Sequence, residues 1–128
     1  MGYETKKVIV VDDTSMMRLI IKNNLKELGF EQSNLVDARD GEQALKKINE
    51  DTIDLVIADW RMPKMTGIDL LKAIRADFFL KEIPFLMVTS EADKEKIMEA
   101  VQAGVNQYIV KPFNATQLEE KIKEILPH

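Results

Sequence analysis

Leu55-Val56-Ile57-Ala58, followed at once by Asp59, is the stretch that decides the fold. Four apolar residues without a polar interruption predict a strand covered on both faces, because a strand with one wet face would alternate. Three further runs have the same form. Val8-Ile9-Val10-Val11 precedes Asp12-Asp13, Phe85-Leu86-Met87-Val88 precedes Thr89, and Tyr108-Ile109-Val110 precedes Lys111. If these strands are parallel, their ends share one edge of the sheet, which is where open α/β sheets hold ligands. Three carboxylates, a hydroxyl and an ammonium then converge on one small site.

Helical patterns fill the intervals. From Ser15 to Leu28, Met17, Ile21, Leu25 and Leu28 recur at helical spacing, and Gly29 closes the segment. Leu35 to Ala38 reads as a shorter, weaker strand. Asp40 is placed to cap a helix running to about Asn49, with Ala44, Leu45 and Ile48 turned inward. Thr66 and Asp69 have capping-box spacing ahead of Leu70, Leu71 and Ile74. Pro84 precedes the fourth strand, residues 92–103 are expected to be helical up to Gly104, and the last helix carries Leu118, Ile122, Ile125 and Leu126 on one face. Five strands alternating with five helices specify an α/β fold with a doubly wound five-stranded parallel sheet. The 128 residues fit a single domain, 1–128, with a core over about 7–126. No repeat, linker or low-complexity segment interrupts it.

Composition removes several functions. Hydrophobic residues at 45% against charged residues at 31% make a globular chain rather than a disordered one. A formal net charge of -4 argues against nucleic acid, whose phosphates need a basic face. With no cysteine, disulfides and thiolate sites are excluded; with His128 as the one histidine, so are histidine metal sites and catalytic triads. No apolar stretch approaches the roughly 20 residues that cross a bilayer, and the amino terminus lacks a signal core. A cytoplasmic, membrane-free monomer is expected.

Each candidate has its own chemical reason. Adjacent Asp12 and Asp13 repel each other, and Mg²⁺, which takes oxygen ligands and keeps several waters, offsets that cost. Either Asp13 or Thr14 could instead cap the first helix. Asp59 could be a third ligand, a nucleophile forming an acyl phosphate, or the opening of a turn. Lys111 suits phosphate oxygens as a point charge, and Pro112 after it fixes the backbone that aims the side chain, with either peptide isomer open. Thr89 can donate a hydrogen bond to a phosphoryl oxygen, or simply end a strand. Tyr108 lies near an edge where two rotamers are conceivable. No Gly-rich phosphate loop is present, so nucleotide binding of the Rossmann or P-loop kind has no support.

From Lys7 to Leu126 the chain resembles the receiver domain of two-component response regulators, and within that family the CheY-like single-domain regulators of chemotaxis. The resemblance rests on Val10-Val11-Asp12-Asp13, Leu25-Lys26-Glu27-Leu28-Gly29-Phe30, Asp59-Trp60-Arg61-Met62-Pro63 and Leu71-Lys72-Ala73-Ile74-Arg75-Ala76-Asp77. Leu86-Met87-Val88-Thr89 and Tyr108-Ile109-Val110-Lys111-Pro112-Phe113 complete it in order. It implies the flavodoxin-like strand order 2-1-3-4-5. It also implies that Asp59 accepts a phosphoryl group from a CheA-like histidine kinase. Asp12, Asp13, Asp59 and the main-chain carbonyl of Arg61 would hold Mg²⁺, while Lys111 and Thr89 contact the phosphoryl oxygens. Thr89 and Tyr108 would act as the switch, reshaping the face of the fourth helix, fifth strand and fifth helix for a FliM-like flagellar motor switch protein.

Two positions depart from the commonest pattern of that group. Arg61 stands where asparagine is frequent, and with Glu91 it flanks the mouth of the site, so the pair is expected to gate water. Thr14 replaces an aromatic found in some relatives, which bears on whether a phosphatase acts on the protein. The resemblance implies a switch that promotes its own phosphorylation and dephosphorylation, not a turnover enzyme. A phosphorelay shuttle to a histidine phosphotransfer domain is the alternative. A Mg²⁺-dependent phosphatase is disfavoured because Arg61 takes the place of its general acid. At this length an attached transcriptional output domain is not expected.

Overall fold

The computed structural model describes residues 2–127; Met1 and His128, the latter the one histidine, lie outside the described residues. Strands β1 (Val8–Val11), β2 (Leu35–Ala38), β3 (Leu55–Ala58), β4 (Phe85–Thr89) and β5 (Gln107–Val110) form one parallel sheet in the order β2-β1-β3-β4-β5. Between and after them run α1 (Ser15–Leu28), α2 (Gly41–Glu50), α3 (Gly67–Ala76), α4 (Lys94–Ala103) and α5 (Ala115–Ile125). This is the doubly wound architecture expected of alternating strand and helix patterns.

The unbroken apolar strands serve two layers at once. Ile9, Val11, Val56, Ala58, Phe85 and Met87 pack with α2, α3 and α4 through Ala44, Ile48, Leu70, Leu71, Ile74 and Ala100. Their neighbours Val8, Val10, Leu55, Ile57, Leu86 and Val88 face α1 and α5 through Ile21, Leu25, Leu118 and Ile122. The period of two that divides each strand therefore sends alternate residues into separate cores.

Helix ends follow their caps. Asp40 accepts from Gln43 N–H at the start of α2, and Gly29 and Gly104 close α1 and α4 in the left-handed conformation. Thr66 accepts from Asp69 N–H, yet the return bond that would complete a capping box is absent among the described residues, since aspartate is a methylene shorter than glutamate. A complete box occurs instead at α5, between Asn114 and Gln117. Helix α4 begins at Lys94 rather than at residue 92, because Asp93 is extended and stands as the N-cap. Leu126 lies just past α5 and receives on its carbonyl the Tyr3 hydroxyl at 2.7 Å, while the Tyr3 ring stacks on Phe30.

Candidate functional site

Strands β1 and β3 are in register, with Val11 opposite Ala58, so Asp12 and Asp59 leave the sheet side by side. The ladder continues one residue past the strand ends. Asp12 N–H donates to the Ala38 carbonyl at 3.1 Å, and Asp59 N–H donates to the Val11 carbonyl at 3.0 Å. Asp12 is buried, Asp59 half-buried and Asp13 exposed, and one carboxylate oxygen from each lies within 4.8 Å of the others.

Strand β5 brings Lys111 to the same edge, where its N–H donates to the Thr89 carbonyl at 2.8 Å. The Lys111-Pro112 peptide is cis. Lys111 Nζ donates to Asp12 Oδ2 at 3.0 Å and to Asp59 Oδ2 at 3.1 Å. Burial pulls the ammonium pKa down, but hydrogen bonds and charge from Asp12 and Asp59 outweigh it and hold Lys111 above the ordinary lysine value. One ammonium among three carboxylates leaves the cluster with excess negative charge and an all-oxygen donor set. That chemistry fits a hard divalent cation.

The remaining oxygens are individually held. Asp12 Oδ1 accepts from the Thr14 N–H at 2.9 Å and the Thr14 hydroxyl at 3.0 Å, while Asp59 Oδ1 accepts from Trp60 N–H at 2.6 Å. Thr14, not Asp13, caps α1, accepting from Met17 N–H. The Asp13 carboxylate therefore keeps its oxygens clear, and among the described residues it makes no hydrogen bond or ion pair. The Arg61 main-chain carbonyl, likewise, is engaged by no hydrogen bond among the described residues.

On the β4 side, Glu91 joins three of the expected residues. Its N–H donates to the Thr89 hydroxyl oxygen at 3.3 Å, its carbonyl accepts from the Tyr108 hydroxyl at 2.6 Å, and its carboxylate pairs with the Arg61 guanidinium. Burial, with the charges of Glu91, Asp59 and Asp93, pushes the Tyr108 phenol up to about 12. Lys96 at the start of α4 stands over the Trp60 ring at 5.0 Å, a cation–π contact across the site's outer wall.

Two contributors escaped the sequence reading. Gly67 opens α3 against the backbone of Asp59, and a Cβ there would fall 1.9 Å from the Asp59 carbonyl oxygen. Arg18 in the first turns of α1 donates to the Asp12 carbonyl. A basic residue near a helix N-terminus opposes the macrodipole, and that was the available signal for Arg18.

A family model described as the response regulator receiver domain matches residues 8–123. The chain belongs to the receiver domain family. Over 119 residues it is 55% identical to the chemotaxis protein CheY of Pseudomonas aeruginosa, covering 93% of this chain and 94% of that one. It is equally 55% identical over 119 residues to CheY-3 of Vibrio cholerae serotype O1, covering 93% and 90%. Among solved structures, the receiver superposes on chemotaxis response regulator CheY4 of Vibrio cholerae with a TM-score of 0.85 at 36% identity, covering 94% and 98%. A putative response regulator from Chloroflexus aurantiacus gives 0.88 at 30% identity, covering 96% and 98%.

The receiver is thus CheY-like, and proteins of this kind are phosphorylation-activated switches rather than turnover enzymes. Receiver domains use Mg²⁺ at an acidic pocket, and Asp12, Asp13 and Asp59 form such a pocket here. CheY relatives imply partners of two classes, a histidine kinase and a motor switch. No helix among the described residues is long and apolar enough to cross a membrane.

Proposed function

We propose that this receiver takes a phosphoryl group on Asp59 from a histidine kinase and passes the signal to a flagellar motor switch protein. The observation that carries the reading is the place of the Lys111 ammonium, within hydrogen-bond distance of both Asp12 and Asp59. A carboxylate oxygen of Asp59 attacks phosphorus, the P–N bond to the kinase imidazole breaks, and the imidazole leaves with that electron pair and takes up a proton. Phosphoryl transfer needs in-line positioning and cations on the equatorial oxygens more than covalent machinery. Trp60 N–H orients the Asp59 carboxylate, and Lys111 neutralises charge on the incoming group. Mg²⁺, held by Asp12, Asp13, Asp59 and the Arg61 carbonyl, supplies the remaining positive charge when bound.

The new group adds about −1.5 to −2 charge, enough to bias a two-state loop. Thr89, whose hydroxyl now holds Glu91 N–H, turns to donate to a phosphoryl oxygen, and Tyr108 follows inward. The readout face lies beyond them. Met98, Val101 and Val110 are exposed on α4 and β5, and a cleft of about 330 Å³ is lined by Tyr108, Ile109, Val110, Gln117, Glu120 and Lys121 of β5 and α5. There the motor switch protein docks.

Trp60 fluorescence tests the site, since the Trp60 main-chain N–H donates directly to the Asp59 carboxylate. Emission should change with Mg²⁺ and again with acetyl phosphate or beryllofluoride. Asp12→Ala and Asp13→Ala should lose both responses, and Asp59→Asn should form no acyl phosphate. Stoichiometric phosphorylation of Asp59→Asn would reject the nucleophile.

A further inference from the structure

Asp12 is held at both ends of its main chain. Its N–H binds the Ala38 carbonyl of β2, and its carbonyl accepts Arg18 Nη1 at 2.5 Å. Arg18 Nε simultaneously donates to Asp37 Oδ2 at 2.9 Å, so one guanidinium ties the β1–α1 turn to strand β2. Asp37 is itself fixed. Lys22 Nζ donates to its other carboxylate oxygen at 2.5 Å, and Lys47 Nζ donates to its carbonyl at 2.5 Å. Burial works to raise the Asp37 pKa, but the bonds from Lys22 and Arg18 outweigh it and hold the carboxyl below its ordinary value. Asp37 thus stays the charged anchor that Arg18 needs.

The carbonyl that Arg18 grips belongs to the peptide joining Asp12 to Asp13. Fixing that oxygen fixes the plane of the peptide and therefore the direction in which Asp13 leaves the chain. Asp12 has Thr14 and Lys111 to place its carboxylate, whereas Asp13, exposed and without a side-chain partner among the described residues, depends on its backbone. Arg18 pays for its place near the helix N-terminus, against the dipole, through these contacts.

We propose that Arg18, anchored by Asp37, is a positioning residue for the carboxylate cluster, holding the Asp12–Asp13 peptide in the shape that takes up a divalent cation. The proposal rests on the Mg²⁺ reading above. Partners that orient metal ligands from outside the coordination sphere commonly contribute 10- to 100-fold to affinity.

The test is a Mg²⁺ titration of the whole chain followed by Trp60 fluorescence, with circular dichroism confirming that each variant is folded. Arg18→Ala and Arg18→Lys should both weaken Mg²⁺ binding about 10-fold, the lower end of that range. The sign is diagnostic. Charge alone would make Arg18→Ala bind the dication more tightly and leave Arg18→Lys unchanged, because lysine keeps the charge; loss of the fork that spans two acceptors, which lysine lacks, weakens both. If Arg18→Ala does not fold, Arg18→Lys decides. Wild-type affinity in the folded Arg18 variants would overturn the bracket, whereas a wild-type protein blind to Mg²⁺ would sink the metal reading beneath it.

Discussion

The Tyr108 hydroxyl donates to the Glu91 main-chain carbonyl over 2.6 Å, joining the last strand of the sheet to the loop that follows Thr89. Phenol and loop therefore move together. Tyr108→Phe removes one partly buried hydrogen bond, and thermal unfolding should show a loss of about 1 kcal/mol. The alkaline side gives a second readout. The folded phenol titrates at about 12 against an ordinary 10.0, so the folded state holds its proton where the unfolded chain has released it. That contribution is complete below pH 10 and is lost as pH rises towards 12. Tyrosinate absorbance should show a late ionisation in the wild type that is missing in Tyr108→Phe, leaving the smaller upward shift of Tyr3.

Asp13 adds negative charge within 4.8 Å of Asp12 and Asp59 without any partner of its own among the described residues. Without Mg²⁺ the one ammonium of Lys111 leaves this repulsion in excess. Asp13→Asn should then stabilise the metal-free protein by about 1 kcal/mol, the scale of one charge pair at such a distance in water. The same substitution should abolish the stabilisation that Mg²⁺ brings, about 2.7 kcal/mol for the wild type at a hundredfold excess over its dissociation constant. Paired thermal melts with and without Mg²⁺ read both signs. A melting midpoint that rises equally with Mg²⁺ in both proteins would remove Asp13 from the ligand set.

How much of this was legible in the sequence depended on the range of the interaction. The run Leu55–Ala58 announces its strand because continuous apolar character needs cover on both faces, and its core neighbours lie above and below it as that requires. The gathering of Asp12, Asp59 and Lys111 is legible too, because parallel strands must end on one edge. What stays hidden is contact between elements without local pattern. Nothing near Arg18 in the chain points to Asp37 on β2, and nothing near Gly67 says that the Asp59 carbonyl passes so close. The start of α4 was misplaced by a local conflict. Ala92 suits a helix, but Asp93 next to it takes the extended backbone of an N-cap and begins the helix later.

Gly67 carries a prediction of its own. Its N–H donates to the Trp60 carbonyl at 2.8 Å, drawing the start of α3 onto the loop that carries Asp59. A methyl group 1.9 Å from the Asp59 carbonyl oxygen cannot be accommodated without moving backbone. Gly67→Ala should destabilise the protein by about 1–3 kcal/mol, the usual range for overpacking. Because the displaced backbone is that of Asp59, acetyl phosphate should also label the folded variant more slowly than wild type. Normal labelling in a destabilised Gly67→Ala would mean that α3 moves and Asp59 does not.

Arg61 reaches from two residues beyond Asp59 to the carboxylate of Glu91, two residues beyond Thr89, and the expected gate over the cluster rests on that ion pair. Arg61 is largely exposed, its side chain 76% accessible, and a surface ion pair of this kind adds little to stability. Any effect of breaking it should therefore appear in water access rather than in the melting curve. Arg61→Ala should release phosphate from Asp59 several-fold faster while unfolding at the wild-type temperature, and Glu91→Gln should move the decay in the same direction. Following loss of the acyl phosphate after removal of the donor measures both. Decay at the wild-type rate in Arg61→Ala would leave the pair as a surface contact and no gate.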